Sequence, residues 1–256
     1  MPVKAASQYS LLDHVSGGAL RLPHEYRAQK SFFRLLKRAG SDQALIEQVS
    51  RLRDAIVLSG VRTRDTNGGV IIALAGPKGK EGVSLISLLL ALSLGGCTQR
   101  RVALIDGRFN LQRFAVLSNV LELSQNNVRL QKGTTELTGY YNEAHPNVYF
   151  LKNGQTEDSL DFFSDKRLGI LLSDLRQQFD FTLIDMPPYL RETSNLFLTP
   201  LVDRLYLVTV PGKTTRTDLK KCVSNAEEAG GKVSGIVINQ QRTPLWSHLL
   251  WKDFFF

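Results

Sequence analysis

The stretch that most constrains the fold runs from an apolar hexapeptide, Val70–Ala75, into the glycine-rich turn 76–82 and then an apolar helix over 83–94. A continuous apolar run this short is a strand buried on both faces. A strand that turns tightly into a helix puts backbone N–H groups and the helix N-terminus at one point, which suits an anion. Two further short apolar runs, 102–105 and 181–184, stop directly on an aspartate, Asp106 and Asp185. In open α/β sheets ligands sit at the carboxyl ends of the strands, and a carboxylate there can hold magnesium.

The rest of the chain alternates in the same way. Helical spacing of Leu45, Val49, Leu52 and Ile56 predicts a helix over 44–58, and 168–178 predicts another. A strand at 148–151 and a β-α-β tail (205–210, 215–229, 233–238) complete the pattern. Strands alternating with helices predict a doubly wound, mainly parallel sheet with helices on both faces. The expected division is a basic N-terminal arm at 1–40, with a short helix around 25–38, an α/β domain at 41–243 and an aromatic tail at 244–256.

Composition excludes several classes. Cys97 and Cys222 are the only cysteines, so neither a disulfide scaffold nor a cysteine-rich zinc site is available. No run of about 18 apolar residues is present, and residues 1–20 lack an apolar core, so neither a membrane span nor a secretory leader is expected. Of the net charge of +8, most lies in residues 1–64, where eleven Lys/Arg face five acids. Such an arm suits an acidic partner such as an anionic membrane surface. No aromatic–basic motif supports nucleic acid. The four histidines are scattered without ligand spacing. In the tail, Trp246, Leu249, Leu250 and Phe254 form a helical stripe that either packs back on the body or meets a membrane or partner.

A working phosphate loop needs a lysine directly after its last glycine and then Ser or Thr for magnesium. Here Gly82 is followed by Val83 and then Ser84, while Lys78 and Lys80 stand on the loop itself. The candidate nucleotide-binding residues are Lys78, Gly79, Lys80, Glu81, Gly82 and Ser84. The candidate metal residues are Ser84, Asp106 and Asp185.

These motifs resemble the cytoplasmic kinase domain of bacterial tyrosine kinases, the partners of polysaccharide co-polymerases in capsule and exopolysaccharide export. That group belongs to the P-loop ATPases that include MinD and ParA. The resemblance spans residues 47–239. Of the family's loop S-x-x-P-G-E-G-K-S/T, Glu81, Gly82 and Ser84 remain; of the deviant loop K-G-G-x-G-K-S/T, Lys78, Gly79, Gly82 and Ser84 remain. The second signature, φ-φ-D-x-D-x-R, keeps Asp106, with Arg108 and Asn110 in place of its second Asp and its Arg. The third, F-D-φ-φ-I-I-D-T-P-P, is nearly complete from Phe179 to Pro188. Residues 210–215 resemble the family's R-x-G-x-T region, and 235–239 its G-V-V-L-N strand. Glu47 and Arg53 match the outer residues of the E-x-x-R-x-x-R helix that mediates ring assembly, with Ser50 in the middle position.

The resemblance implies a kinase-like protein on the cytoplasmic side of a bacterial inner membrane. Its implied partner is a co-polymerase or another inner-membrane export protein, and it implies a homo-oligomer through Glu47 and Arg53. The departures imply lost catalysis. Val83 removes the charge clamp on the transferring phosphate, Arg108 places a cation where magnesium or its waters would sit, and no tyrosine follows Tyr206 where the family carries its tyrosine cluster. The expected protein is therefore a non-catalytic regulatory or scaffold subunit, with ATP or ADP and magnesium bound, if at all, without turnover. Two alternatives stand beside it: an active tyrosine kinase or ATPase using Lys78 or Lys80, and a MinD/ParA-like positioning protein on membrane or DNA.

Overall fold

The computed structural model describes residues 43–61, 68–98, 100–107, 124–132, 135–143, 145–153 and 166–240. The basic arm, Arg108, Asn110 and the aromatic tail lie outside the described residues. In chain order the elements are α1 (Gln43–Val61), β1 (Val70–Ala75), α2 (Val83–Thr98), β2 (Val102–Asp106), β3 (Ser124–Lys132), β4 (Thr135–Asn142), β5 (His145–Asn153), α3 (Lys166–Gln178), β6 (Phe181–Asp185), α4 (Ser194–Leu198), a 3-10 turn (Thr199–Leu201), β7 (Arg204–Thr209), α5 (Arg216–Glu228) and β8 (Val233–Ile238).

The strands form one eight-stranded sheet in the order β3-β4-β5-β2-β6-β1-β7-β8. Every pair from β5 to β8 is parallel, and β3–β4 and β4–β5 are antiparallel. The parallel, doubly wound sheet expected from the sequence is therefore present, with an antiparallel meander added at one edge. That meander, β3 and β4, is not foreshadowed by any apolar run.

The central strands are apolar on both faces because both are covered. Ile71, Ala73 and Ala75 of β1 face a core with Leu171, Leu172 and Leu175 of α3 and Cys222 and Ala226 of α5. Ile72 and Leu74 face the opposite core, built with Ile56 of α1 and Leu88, Leu90 and Leu94 of α2. The α2 helix is apolar nearly all round because α1 covers its outer side, Val49 and Leu45 of α1 packing with Leu85 and Leu89 of α2. It continues through Gly95-Gly96, where the sequence suggests a stop. A Cβ on Gly95 would stand 2.4 Å from Val148 Cγ2, so the glycine is what lets the helix lie this close to β5.

Register places the chemistry. Asp106 of β2 lies opposite Asp185 of β6, and Asp185 lies opposite Leu74, just before the glycine-rich turn. All three strands end side by side at the carboxyl end of the parallel strands, in the middle of the sheet.

Candidate functional site

The turn between β1 and α2 has the backbone of a phosphate loop. Gly79 (φ +93°), Lys80 (φ +69°) and Gly82 (φ +85°) are all left-handed, and the Gly82 carbonyl accepts the Ile86 N–H at 3.1 Å in the first turn of α2. Helix starts leave N–H groups without intrahelical acceptors, and here they follow the last glycine.

The turn is held from three sides. The segment after Asp185 closes over it: Tyr189 and Leu190 donate their N–H groups to the carbonyls of Gly76 (2.8 Å) and Pro77 (3.0 Å). Pro188 lies against Gly79, where a Cβ would come within 3.1 Å of its Cγ. Asn195 in turn donates to the Pro187 and Pro188 carbonyls, and Tyr189 shares a hydrogen bond with Thr199 at 2.7 Å. Burial raises the Tyr189 phenol above its ordinary range. From β8, Asn239 donates to the Glu81 carbonyl at 2.7 Å.

Side chains complete the picture. Glu81 is 6% exposed; its Oε1 accepts the Lys78 N–H at 3.0 Å, and its buried Oε2 has no hydrogen-bond partner among the described residues. A Cβ on Gly76 would stand 2.4 Å from that Oε2, so a larger residue there would have to displace the Glu81 carboxylate. The Lys78 ammonium points to α5 and pairs with Asp218 Oδ2 at 2.8 Å. Asp218 also closes a capping box with Thr215 at the start of α5. The Lys78 hydrogen bond, and after it the Thr215 hydroxyl, hold the Asp218 carboxyl at about 2. Lys80 is exposed, and Ser84 is half-buried in the first turn of α2. Val83 is half-buried and lies against the core that α1 and α2 form with the sheet.

Asp185 is buried and Asp106 half-buried, side by side at the strand ends. The Asp185 carbonyl accepts the Gly107 N–H at 2.9 Å. No cluster of three or more His, Cys, Asp or Glu that could hold a metal ion occurs among the described residues. The backbone of the site fits a nucleotide polyphosphate. The side chains fit it poorly: an apolar residue follows the last glycine, one loop lysine is paired elsewhere, and an unpaired carboxylate oxygen lies against the turn.

Glu47 and Arg53 share α1. Glu47 is exposed. Arg53 grips Asp54 through Nε and a terminal nitrogen, both at 2.8 Å, and reaches Ser93 Oγ of α2 at 3.2 Å. Its contacts dock α1 on α2. Three further residues shape the loop, Asn239, Asp218 and Pro188; the motifs 179–188 and 235–239 contain Pro188 and Asn239 without assigning them to the site, and none contains Asp218. For Asp218 the Thr215-x-x-Asp218 capping pattern was a readable signal.

The sequence matches no protein-family model. It is 27% identical over 210 residues to the tyrosine-protein kinase ptk of Acinetobacter johnsonii, covering 78% of this chain and 27% of that protein. The chain is a homologue of bacterial tyrosine-protein kinases. It spans about a quarter of the length of that kinase. Among solved structures, the BceF tyrosine kinase domain superposes with a TM-score of 0.60 at 20% identity, over 83% of this chain and 88% of that one. MinD from Pyrococcus horikoshii, complexed with Mg-ADP, superposes at 0.51 with 24% identity, over 70% and 75%. The chain thus has the P-loop NTPase fold of these neighbours, with its own residues 76–82 as the turn between β1 and α2.

Proposed function

We propose that this chain is a non-catalytic, tyrosine-kinase-like regulatory or scaffold protein of bacterial exopolysaccharide or capsule export, acting on the cytoplasmic face of the inner membrane beside a polysaccharide co-polymerase. The observation that carries the reading is Val83. The residue after the last glycine is where phosphoryl transfer places its lysine, and here that side chain is an apolar one, half-buried against the core that α1 and α2 form with the sheet. Cationic clamps of this kind are worth about 10³-fold or more in phosphoryl transfer, so their loss leaves near-background turnover.

The backbone supports binding without turnover. Left-handed glycines and helix N–H groups need no side chain to meet a phosphate. A bound ADP or ATP would lie along residues 78–84, with Ser84, Asp106 and Asp185 as the groups for magnesium. Binding of this kind supports a nucleotide-sensing scaffold. The basic arm and the Glu47 face of α1 are its proposed contacts with the co-polymerase, the anionic membrane or a second copy of the chain.

The test is turnover against a dead control. ATP hydrolysis and autophosphorylation by the wild type should equal those of Ser84→Ala/Asp185→Asn. Val83→Lys with Arg108→Asp should raise nucleotide affinity. Robust wild-type turnover, lost in Lys78→Ala or Lys80→Ala, would overturn the reading. For the cellular role, deletion of residues 1–40 should reduce recovery in the membrane fraction of cells that carry the co-polymerase.

A further inference from the structure

The two edges of the sheet differ in chemistry. At one edge β3 carries Arg129 and Lys132 and is polar along most of its length. At the other, β8 reads Val-Ser-Gly-Ile-Val-Ile, with no charge and no proline. Edge strands of that kind invite pairing with another chain unless something covers them. Ile236 and Ile238 lie opposite Leu207 and Thr209, on the side of the sheet where Leu207 joins the core under α3 and α5. They are 52% and 55% exposed, so α5 leaves an apolar strip of β8 open.

The sequence that follows β8 has the chemistry of a cover. Asn239 is tied to the Glu81 carbonyl, and at Gln240 the chain bends. Gln240 is left-handed at φ +56° and gives its N–H to Asn239 Oδ1 at 2.8 Å. A left-handed residue that is not glycine marks a turn, and here it ends the direction of β8. Thr243-Pro244 follows, the pairing of a helix N-cap with proline in the first helical position. Beyond it Trp246, Leu249, Leu250 and Phe254 recur at helical spacing. The 13 residues from Pro244 to Phe256 make about 20 Å of helix. The 6 residues of β8 make about 20 Å of strand. We propose that residues 244–256 form an amphipathic helix that runs back along β8 and covers Ile236 and Ile238 with Trp246, Leu249 and Leu250.

Each partner removes the other's apolar surface from water. The short connector 240–243 holds the two at high effective concentration, so the contact within one chain outcompetes a second copy or a lipid surface. His248 and Lys252 fall on the opposite side of such a helix and stay in water. The covered strip closes the β8 edge against strand pairing, a role separate from the contacts proposed above for the basic arm and α1.

Trp246 and Trp251 are the only tryptophans, so tryptophan emission reports on this segment alone. In the whole chain carrying Trp251→Phe, Trp246 should emit at shorter wavelength than in the urea-unfolded chain and resist quenching by acrylamide. Adding Ile236→Lys/Ile238→Lys, which replaces two half-exposed side chains, should move the emission to the unfolded wavelength and abolish the shielding, with amide-exchange protection of β1 and β6 kept. Cross-linking reads the same contact without charging β8: Ile236→Cys paired with Leu249→Cys or Leu250→Cys should form a disulfide within one chain, located by peptide mapping. Trp246 as open to acrylamide in the folded chain as in urea, shielding that survives the two lysines, or absence of both cross-links overturns the proposal. So does shielding that falls on dilution, which assigns the segment to a second copy. Shielding that arises only with phosphatidylglycerol vesicles assigns it to a membrane surface and overturns the proposal equally.

Discussion

The Asn239 amide donates to the Glu81 carbonyl at 2.7 Å, fastening the end of β8 to the glycine-rich turn. The same amide nitrogen would stand 2.5 Å from a Cβ on Gly82, which is left-handed at φ +85°. Two changes test this fastening. Asn239→Ala removes this hydrogen bond and an exposed one that its Oδ1 accepts from the Gln240 N–H at 2.8 Å, and should lower stability by about 1 kcal/mol. Gly82→Ala adds a backbone penalty and a collision, and should cost more, about 2–3 kcal/mol. Urea unfolding midpoints at constant m-value check the order; Gly82→Ala as stable as Asn239→Ala would show that the turn can move away from β8.

Lys80 has φ +69°, a conformation that costs a side-chain-bearing residue about 1–2 kcal/mol. Glycine removes that cost but adds entropy to the unfolded chain. Lys80→Gly should therefore gain about 0.5–1 kcal/mol, seen as a higher thermal midpoint. A lower midpoint would mean that the lysine side chain contributes more than its backbone strain costs.

What the sequence discloses and what it hides divide along a physical line. Val70–Ala75, Val102–Asp106 and Phe181–Asp185 are legible because a strand covered on both faces must be apolar throughout. That they end together follows from the parallel arrangement, which brings Asp106 and Asp185 side by side. β3 and β4 escape notice because edge strands such as Ser124–Lys132 are held by pairing with neighbours, and the segment Ser-Gln-Asn-Asn-Val-Arg-Leu-Gln-Lys has no apolar run to announce it. Arg53 shows the same limit within a helix. Its spacing from Glu47 reads as a face of α1, yet the partners its guanidinium takes, Asp54 and Ser93, include one 40 positions away. Lys78 and Lys80 are both visible as loop cations; that one is held by Asp218 and the other is strained depends on contacts no local pattern encodes.

Arg204 is 8% exposed and donates to the Ile56 carbonyl in α1 at 3.0 Å. A charged donor to a buried carbonyl contributes about 1.5–3 kcal/mol. Arg204→Met keeps most of the apolar stem and loses the donor, so it should cost about 2 kcal/mol and speed amide exchange in α1 near Ile56. Exchange accelerated evenly across the whole chain would indicate global destabilisation without release of α1.

The pH dependence of stability should carry the mark of Asp218. Lys78 first, then Thr215, hold its carboxyl at about 2 in the folded chain, below the unfolded value of about 3.9. A carboxyl depressed on folding stabilises the protein above its unfolded pKa, and that contribution drains away as pH falls toward the folded one. Wild type should therefore exceed Asp218→Asn in thermal midpoint at neutral pH. The two should converge between about pH 4 and pH 2. Parallel curves through that window would assign the difference to packing.

Cys222 is fully buried on α5, facing the sheet. Burial, then the negative charges of Asp218 and Glu81, push its thiol up to about 12. The thiolate is the reactive form, so near pH 8.5, where an ordinary thiol is about half ionised, almost none is present at Cys222 in the native chain. Iodoacetamide should alkylate the Cys222 peptide only as fast as α5 leaves the sheet, and at once in denaturant. Peptide mass mapping distinguishes it from Cys97. Removing one charge sharpens the test, since Asp218→Asn lowers the thiol pKa while leaving it buried. If opening of α5 is the gate, native labelling in Asp218→Asn should follow the measured opening of α5. If thiolate formation inside the closed structure is the gate, labelling should instead rise with pH while α5 stays protected from amide exchange, and the burial argument for Cys222 would fall.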